Sequence, residues 1–439
     1  MSFGNGDSLE NWWMPFTANR GFKENPRLIV GARGNYYATE DGREVFDSLS
    51  GLWCCGAGHN VPKIKQAIAD QLDVNDFSPS FQFGHPAGFQ LAQRISDFMP
   101  EDLNRVFFTN SGSESADTSL KIARAYWRAA GRPSKTKLIG RGKGYHGVNF
   151  GGMSVGGIGA NKAAFGAGID TDHLSATLLP ENVFSCGMPQ YGEHLADQLV
   201  EIIALHDASN IAAVIVEPMS GSGGVVVPPV GYLQRLREIC TEHDILLIFD
   251  EVITAFGRCG AQTGAESFDV VPDILNLAKQ LTNGVVPMGA VVTRQEIYER
   301  FVSADLPSHA IELPHGYTYS GHPVACAAAL ATLDHIEEQG LIGAAKRLAP
   351  VLEEQIHTLR DAPHVVDIRN YGLAGAIQLA PRNGDPTVRG YDAGIALWNA
   401  GFYVRWGGDT LQFGPPFTST EDELKQLFAA VGSALNGVA

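Results

Sequence analysis

The sequence lacks an excess of basic residues. Its 439 residues include 32 lysines and arginines against 48 aspartates and glutamates, which gives a formal net charge of −16. Binding to nucleic acid requires a basic surface that neutralises phosphates, so this balance argues against a nucleic-acid partner. Hydrophobic residues make up 44% of the chain and charged residues 18%. That composition is typical of a globular protein, and the length allows two or three compact units.

Long hydrophobic runs and paired cysteines are also missing. No window reaches the roughly eighteen apolar residues that a membrane-spanning helix needs. The N-terminal residues include acidic side chains and no apolar run, so they do not predict a signal peptide. The six cysteines form no C-x-x-C pair of the kind that binds metals. In so long a chain they do not indicate a disulfide framework. We therefore expect a cytoplasmic protein with reduced, buried thiols, no bound metal and no membrane contact.

The middle of the chain alternates short apolar runs with amphipathic segments. The runs "IAAVIVEP" and "ILLIFDE" predict buried strands, and "RLREICTEH" between them predicts a helix. A second strand-helix pair is predicted by "RVFFTN" followed by "ESADTSLKIARAYWRAA". Continuous apolar strands separated by helices are typical of a buried parallel sheet. The sequence therefore predicts an α/β protein with a mostly parallel sheet.

The two ends of the chain differ from its middle. The stretch "RLIVGARGNYYATEDGREVFD" alternates around Asp41-Gly42 and predicts a hairpin. The C-terminal part mixes short strands with helices, and the final helix is predicted to open at Thr420 with Glu423 completing a capping box. We predict a large domain over residues 61–320. A smaller α/β domain combines an N-terminal segment, residues 1–60, with residues 321–439.

Three polar groups follow predicted strands, where ligands of an open parallel sheet bind. Ser113 lies in a Gly-Ser turn at a helix start, Asp250 ends the run "ILLIF", and Lys279 follows another short apolar run. A buried lysine is costly without a partner or a chemical role, and so is a buried carboxylate. Pyridoxal phosphate has the matching groups: a phosphate, a ring nitrogen that can be held protonated, and an aldehyde that condenses with lysine.

Eight stretches carry a family resemblance, in order from Ser50 to Phe417: "SGLWCCGAGH", "FTNSGSES", "GYHGVNFGG", "VEPMSGSGGVVVPP", "FDEVITAFGR", "AKQLTNG", "HGYTYSGHPVACAA" and "VRWGGDTLQFGPPF". With them the chain resembles the class III (omega) aminotransferases, which have the pyridoxal-phosphate-dependent transferase fold type I. The resemblance implies a ping-pong transamination from an ω-amino acid or amine, of the β-alanine type, to pyruvate, giving an aldehyde or ketone and alanine. Another donor, such as γ-aminobutyrate, or a different pyridoxal-phosphate reaction on the same fold stays open.

The resemblance also implies roles for single residues. Lys279 resembles the lysine that bonds the cofactor, and Asp250 the partner of the ring nitrogen. The other implied cofactor-binding positions are Gly112, Ser113, Tyr145, Val252, Glu217 and Thr318. Thr318 matches a residue that reaches the phosphate in the second subunit, which implies a homodimer with shared active sites and leaves a tetramer open. The implied substrate-binding residues are Phe16, Trp53, Phe81, Tyr145, Ser222 and Arg405.

Other features have simpler interpretations or no assigned role. "GMSVG" fits the G-x-S-x-G pattern of hydrolases, but it lacks the strand before it and the helix after it that this elbow requires. We interpret His146 and His315 as hydrogen-bonded structural histidines. Two positions depart from the family pattern: Trp406 stands where phenylalanine or tyrosine is expected, and Cys259 where threonine is more usual. A non-catalytic oligomer of this fold would not need Lys279 and Asp250.

Overall fold

The computed structural model describes residues 8–166 and 168–438. Its strands, β1 to β15 in chain order, are Ile29–Arg33, Tyr36–Thr39, Glu44–Asp47, Leu103–Thr109, Lys137–Arg141, Thr171–Leu174, Ile211–Val216, Leu246–Asp250, Ile274–Leu277, Gly289–Arg294, Val365–Tyr371, Ala374–Leu379, Phe402–Tyr403, Arg405–Gly407 and Thr410–Phe413. Its helices, α1 to α14, are Asn19–Glu24, Ser50–Trp53, Pro62–Val74, Pro86–Phe98, Gly112–Ala129, Phe150–Val155, Gln198–His206, Tyr232–Glu242, Gly264–Ser267, Gln295–Val302, Pro323–Glu338, Leu341–His357, Val388–Asn399 and Glu421–Gly437.

A seven-stranded sheet forms the centre, in the order β4-β10-β9-β8-β7-β5-β6. Strands β9, β8, β7, β5 and β6 pair in parallel, whereas β10 is antiparallel to both of its neighbours, β4 and β9. Every residue of β7 and β8 is buried, because helices such as α5 and α8 cover the two faces of the sheet. This burial explains the unbroken apolar runs and confirms the predicted α/β fold.

The N-terminal strands form a longer unit than the sequence predicts. The turn at Asp41-Gly42 does join β2 to β3, but a second turn at Gly34-Asn35 joins β1 to β2. The prediction of a single hairpin was therefore incomplete, since Gly34 supplies a positive φ of 58° for a turn that the alternating pattern does not mark.

The two ends of the chain meet in one sheet. Strand β13 pairs in parallel with β3 in a four-stranded sheet, and β11, β12, β15 and β14 form another. The C-terminal segment thus packs with the N-terminal one. The domain boundaries themselves stay a prediction, and residues 1–7 of the N-terminal segment lie outside the described residues.

Local signals at the C-terminus and at the cysteines can be compared with the structure. Helix α14 begins with the predicted capping box, in which Thr420 and Glu423 satisfy each other's backbone N–H groups. All six cysteines are free; Cys186 is exposed, so the expectation of buried thiols is wrong there. Within residues 8–166 and 168–438, no helix is long and apolar enough to cross a membrane.

Gly140, in β5, provides a test of how closely the glycine-rich segment packs. A Cβ at this position would lie 1.8 Å from the carbonyl oxygen of Val155, the last residue of α6. Because backbone cannot yield as a flexible side chain does, Gly140→Ala should destabilise the protein by about 3 kcal/mol, as overpacking does. Chemical denaturation of the variant should show a lower midpoint. Gly159→Ala is the control, since nothing lies within 4 Å of its Cβ, and equal midpoints for the two variants would contradict the prediction.

Candidate active site

Three strand ends meet at one edge of the central sheet. Asp250 is the last residue of β8, Lys279 follows β9 after one intervening residue, and α5 begins at Gly112 shortly after β4. Strands β4 and β9 are both antiparallel to β10, so they point the same way as β8. Their ends enclose a cavity at the carboxyl edge of the sheet, where ligands of open parallel sheets bind. It is lined by Ser111, Gly112, Ser113, Tyr145, His146, Gly147, Glu217, Asp250, Val252, Ile253 and Lys279.

The first turn of α5 forms one wall of the cavity. The Oγ of Ser111 caps the helix by accepting from the N–H of Glu114 at 3.2 Å. Two glycines let other backbone approach it: a Cβ on Gly112 would lie 2.9 Å from Val252, and one on Gly147 would lie 2.3 Å from the Oγ of Ser113. The free N–H groups of this turn and the helix dipole favour an anion at this end of the cavity.

A buried carboxylate lies on the floor of the cavity. Asp250 is 5% exposed, and its Oδ2 is 2.8 Å from Nδ1 of His146. The backbone N–H of Val252 donates to Oδ1 at 3.2 Å. His146 is itself buried, and its Nε2 has no hydrogen-bond partner among the described residues. A carboxylate held in this way is oriented by its neighbours and favours a cation in the cavity beside it.

Lys279 is held in an uncommon backbone conformation. Its φ is 47°, in the left-handed region that costs a non-glycine residue free energy and that clusters at functional sites. Burial lowers the pKa of the Lys279 ammonium below its ordinary value. Cys54 first and then Asp250 oppose this shift, whereas the Arg405 cation adds to it. The net effect favours the neutral amine, which is the nucleophilic form.

Glu217 supports the segment that carries Tyr145. Its Oε1 accepts from the backbone N–H of Tyr145 at 2.8 Å. Burial raises the pKa of Glu217 to about 7, while the positive charge of a protonated His146 would lower it and Asp250 raises it further. Behind it, the guanidinium of Arg141 donates to the carbonyl oxygen of Glu217 at 2.6 Å. The Tyr145 segment is thus fixed at the cavity by groups that the protein has removed from water.

The structure brings together seven residues assigned from the sequence, which all line the cavity: Gly112, Ser113, Tyr145, Glu217, Asp250, Val252 and Lys279. Six others do not line it: Phe16, Trp53, Phe81, Ser222, Thr318 and Arg405. Trp53 is 3% exposed, whereas Phe16 and Phe81 are 71% and 55% exposed. Thr318 is exposed, in the loop where a Cβ on Gly316 would meet the ring of Phe81. Ser222 and Arg405 are partly buried. The roles of these six stay predictions.

Sequence reasoning missed four residues of the cavity wall: Ser111, His146, Gly147 and Ile253. Each is within two positions of a residue that was assigned, so proximity in the chain was the available signal. His146 had been interpreted as a structural histidine, and it is hydrogen-bonded as expected, but its partner is Asp250.

Comparisons with known proteins identify the family of the chain. Residues 17–435 match the family Aminotransferase class-III. The chain therefore belongs to the class III aminotransferases.

Similar proteins cover nearly the whole chain. The beta-alanine–pyruvate aminotransferase of Pseudomonas aeruginosa is 61% identical, over 98% of this chain and 97% of its own. An omega-amino acid–pyruvate aminotransferase of Pseudomonas putida is 57% identical, over 98% and 96%. Among solved structures, an amine transaminase from an uncultivated Pseudomonas species, in its PLP-bound form, has a TM-score of 0.91 at 37% identity, covering 98% of this chain and 99% of that one.

Proposed function

We propose that this enzyme is a pyridoxal-phosphate-dependent aminotransferase that moves an amino group from an ω-amino acid or amine, of the β-alanine type, to pyruvate. The products are the aldehyde or ketone of the donor and alanine. The observation that carries the proposal is the joint placement of Lys279, Asp250 and the α5 N-terminus around one cavity. The relatives named as β-alanine and ω-amino acid aminotransferases support the substrate class.

The residues of the cavity fit pyridoxal phosphate group by group. The first turn of α5, with Gly112 and Ser113, would hold the phosphate. The carboxylate of Asp250 would pair with the ring nitrogen and keep it protonated. The Nζ of Lys279 would bond the aldehyde carbon.

The two faces of the ring and the back of the pocket are assigned to three further residues. Tyr145 would cover one face of the ring and Val252 the other, and both line the cavity. Glu217 would hold the Tyr145 segment in place through the backbone hydrogen bond at 2.8 Å. We expect these three to set the orientation of the ring rather than to take part in bond making.

Bound pyridoxal phosphate supplies an aldehyde that condenses with amines and a protonated ring that withdraws electrons from the attached carbon. The residues of the chain supply the proton chemistry. Once a substrate amine has displaced it, Lys279 is the base positioned to take a proton from the substrate carbon and return it as an acid. The carboxylate of Asp250, oriented by His146 at 2.8 Å, would hold the ring nitrogen of the cofactor. The same residues then serve the keto acid in reverse, which gives ping-pong kinetics.

Sequence identity to relatives with named substrates favours one class of amine donor over others. Relatives named for γ-aminobutyrate or putrescine are 35% identical to this chain, against 61% for the β-alanine enzyme. A panel of amine donors with pyruvate as acceptor, read out as alanine, tests the proposal. β-Alanine should be among the best donors. A preference for γ-aminobutyrate or putrescine, with β-alanine inactive, would refute the substrate class while leaving the reaction class intact.

Lys279 is expected to hold the cofactor covalently. Borohydride reduction of the yellow protein should fix the label on the peptide that contains Lys279, and mass spectrometry of a digest identifies it. Lys279→Ala should still bind the cofactor and lose turnover, because no other lysine lines the described cavity. Reduction onto a different lysine would refute the assignment.

Asp250→Asn should keep the fold and lose most activity. Two opposite charges about 4 Å apart in a partly buried site interact by roughly 4 kcal/mol, about three orders of magnitude in rate if all of it acts in the transition state. An amide cannot provide that interaction. The kcat of each half-reaction measures the loss, and Asp269→Asn, at an exposed position, is the matched control. A variant with near wild-type kcat would mean that another group holds the ring nitrogen.

We propose further that the active site is completed by a second copy of the chain. The aromatic patch beside the Thr318 loop is exposed: Phe77, Phe81, Phe83, Phe89 and Tyr319 are 41%, 55%, 71%, 74% and 57% exposed. An apolar surface of this kind is typical of a protein interface. Its position beside Thr318 supports the proposal that this residue serves the partner's phosphate site in a homodimer.

Mixing two defective proteins tests the shared site. Lys279→Ala has no lysine of its own, and Thr318→Ala should bind the cofactor weakly at limiting concentration. A heterodimer of the two contains one intact site, so random exchange should restore about a quarter of wild-type activity. Each variant mixed with itself is the control. If subunit exchange is shown by native mass spectrometry and no activity returns, each site is built within one chain.

Arg405 is expected to bind the carboxylate of the keto acid. A flexible arginine can pair with a carboxylate and turn away for an apolar donor. Arg405→Ala should therefore weaken the pyruvate half-reaction by about 2–4 kcal/mol and affect a donor without a carboxylate far less. Stopped-flow absorbance measures the two half-reactions separately, with Arg347→Ala, at an exposed position, as control. Equal losses in both would assign Arg405 a structural role.

A further inference from the structure

A buried amide in β15 has an oxygen that no other described residue pairs with. Gln412, in β15, is 1% exposed, and its Nε2 donates to the carbonyl oxygen of Ser222 at 3.1 Å. Its Oε1 is buried and has no hydrogen-bond partner among the described residues. Exchanging the amide oxygen and nitrogen would place Oε1 against the Ser222 carbonyl, so this orientation is fixed by its surroundings. An unpaired buried acceptor costs free energy and points to a donor that joins it.

Arg405 is a candidate donor, because it lies directly opposite Gln412 in the neighbouring strand. In the antiparallel pair of β14 and β15, Arg405 is the register partner of Gln412. Side chains of directly opposed residues stand on the same face with Cβ atoms about 4.5–5.5 Å apart. In residues 8–166 and 168–438 the guanidinium of Arg405 has no ion pair or hydrogen bond. Among the described residues, an unpaired acceptor and an unpaired donor group thus occupy directly opposed positions of one strand pair.

The packing of Trp406, on the opposite face of β14, determines the face on which Arg405 stands. Its neighbour Trp406 packs on α13, where a Cβ on Gly394 would lie 2.1 Å from the Trp406 ring. Tyr391 meets the same ring edge-on at a centroid distance of 5.7 Å. Successive residues of a strand point to opposite faces, so seating Trp406 on α13 directs Arg405 towards Gln412. A shift of one residue in the register of β14 would remove the Trp406 ring from the space beside Gly394.

The acceptor opposite Arg405 is a neutral amide, so it does not neutralise the positive charge of the guanidinium. Burial raises the pKa of Tyr145 and lowers that of Lys279, and the Arg405 cation is close enough to both of these cavity-lining groups to favour a lower pKa. A carboxylate at position 412 would pair with the guanidinium and compete with a substrate carboxylate. An amide oxygen accepts one N–H and leaves the full positive charge and the other N–H groups available.

We propose that Gln412 is a positioning residue that determines carboxylate specificity: its Oε1 accepts an N–H of Arg405 and holds the remaining N–H groups of the guanidinium towards the carboxylate of the keto acid. This inference rests on the function proposed for Arg405 and adds a second residue to it. Gln412 itself does not touch the reacting atoms.

Two substitutions and a control test the inference in the holoenzyme. Gln412→Glu introduces the competing carboxylate, and Gln412→Met removes the acceptor at similar volume. Gln378→Glu is the control, because Gln378 lies one strand away and accepts from Thr410 at 2.6 Å. The readouts are the dissociation constant of propionate by calorimetry, the KM of pyruvate, and the single-turnover rate with benzylamine, which has no carboxylate.

Gln412→Glu should raise the propionate dissociation constant and the pyruvate KM by at least about tenfold, the size expected for losing a charge-assisted pair. Gln412→Met should raise both by about threefold, as for a neutral hydrogen bond. The benzylamine rate should stay within about twofold of wild type for all three variants, since Arg405 has no carboxylate to bind there. Unchanged carboxylate affinity in Gln412→Glu, or equal losses in both half-reactions, would overturn the inference.

Arg405→Ala separates this inference from the proposed function. If that variant loses carboxylate affinity and Gln412→Glu does not, only the role of Gln412 is refuted. If Arg405→Ala keeps wild-type affinity for propionate and pyruvate, the carboxylate-binding role of Arg405 and the positioning role of Gln412 are both refuted.

Discussion

The buried carboxylate of Asp250 is the constraint around which the site is arranged. At 5% exposure it needs a cation or strong donors, and the protein provides His146 and one backbone N–H. The parallel strands bring to it the ends where a lysine and an anion-binding helix start can stand. The positive φ of Lys279 and the close approaches at Gly112 and Gly147 are tolerated because packing around the carboxylate fixes them.

Much of the fold and of the cavity could be predicted from the sequence. The runs at β7 and β8 are apolar throughout because both faces of the sheet are covered, and that pattern distinguishes them from half-exposed strands. Asp250 and Lys279 stand out because charge directly after such a run is unusual. The order of the sheet could not be predicted, since the reversal of β10 between β4 and β9 depends on pairings between distant segments.

The pairing of Arg405 with Gln412 was beyond sequence reasoning for the same reason. The register of β14 on β15 is set by Trp406 and Gly394, and no local pattern connects these positions. Thr318, Phe16 and Phe81 pose a different difficulty, because their proposed roles depend on surfaces that a single chain leaves exposed. The capping box at Thr420 was predictable to the residue, since it depends only on neighbours in the chain.

The close packing of the Trp406 ring on Gly394 has an evolutionary consequence. Trp406 occupies the space that a β-carbon at position 394 would take, so neither residue can change freely while the other stays. A lineage that acquired alanine at 394 would first have to accept a smaller ring at 406, and the order of the two mutations would decide whether the intermediate survives. Such sign epistasis makes this pair a single unit of variation. A combinatorial library that randomises position 406 alone would miss well-packed combinations of residues at 394 and 406. Those combinations are sampled only when both positions vary together.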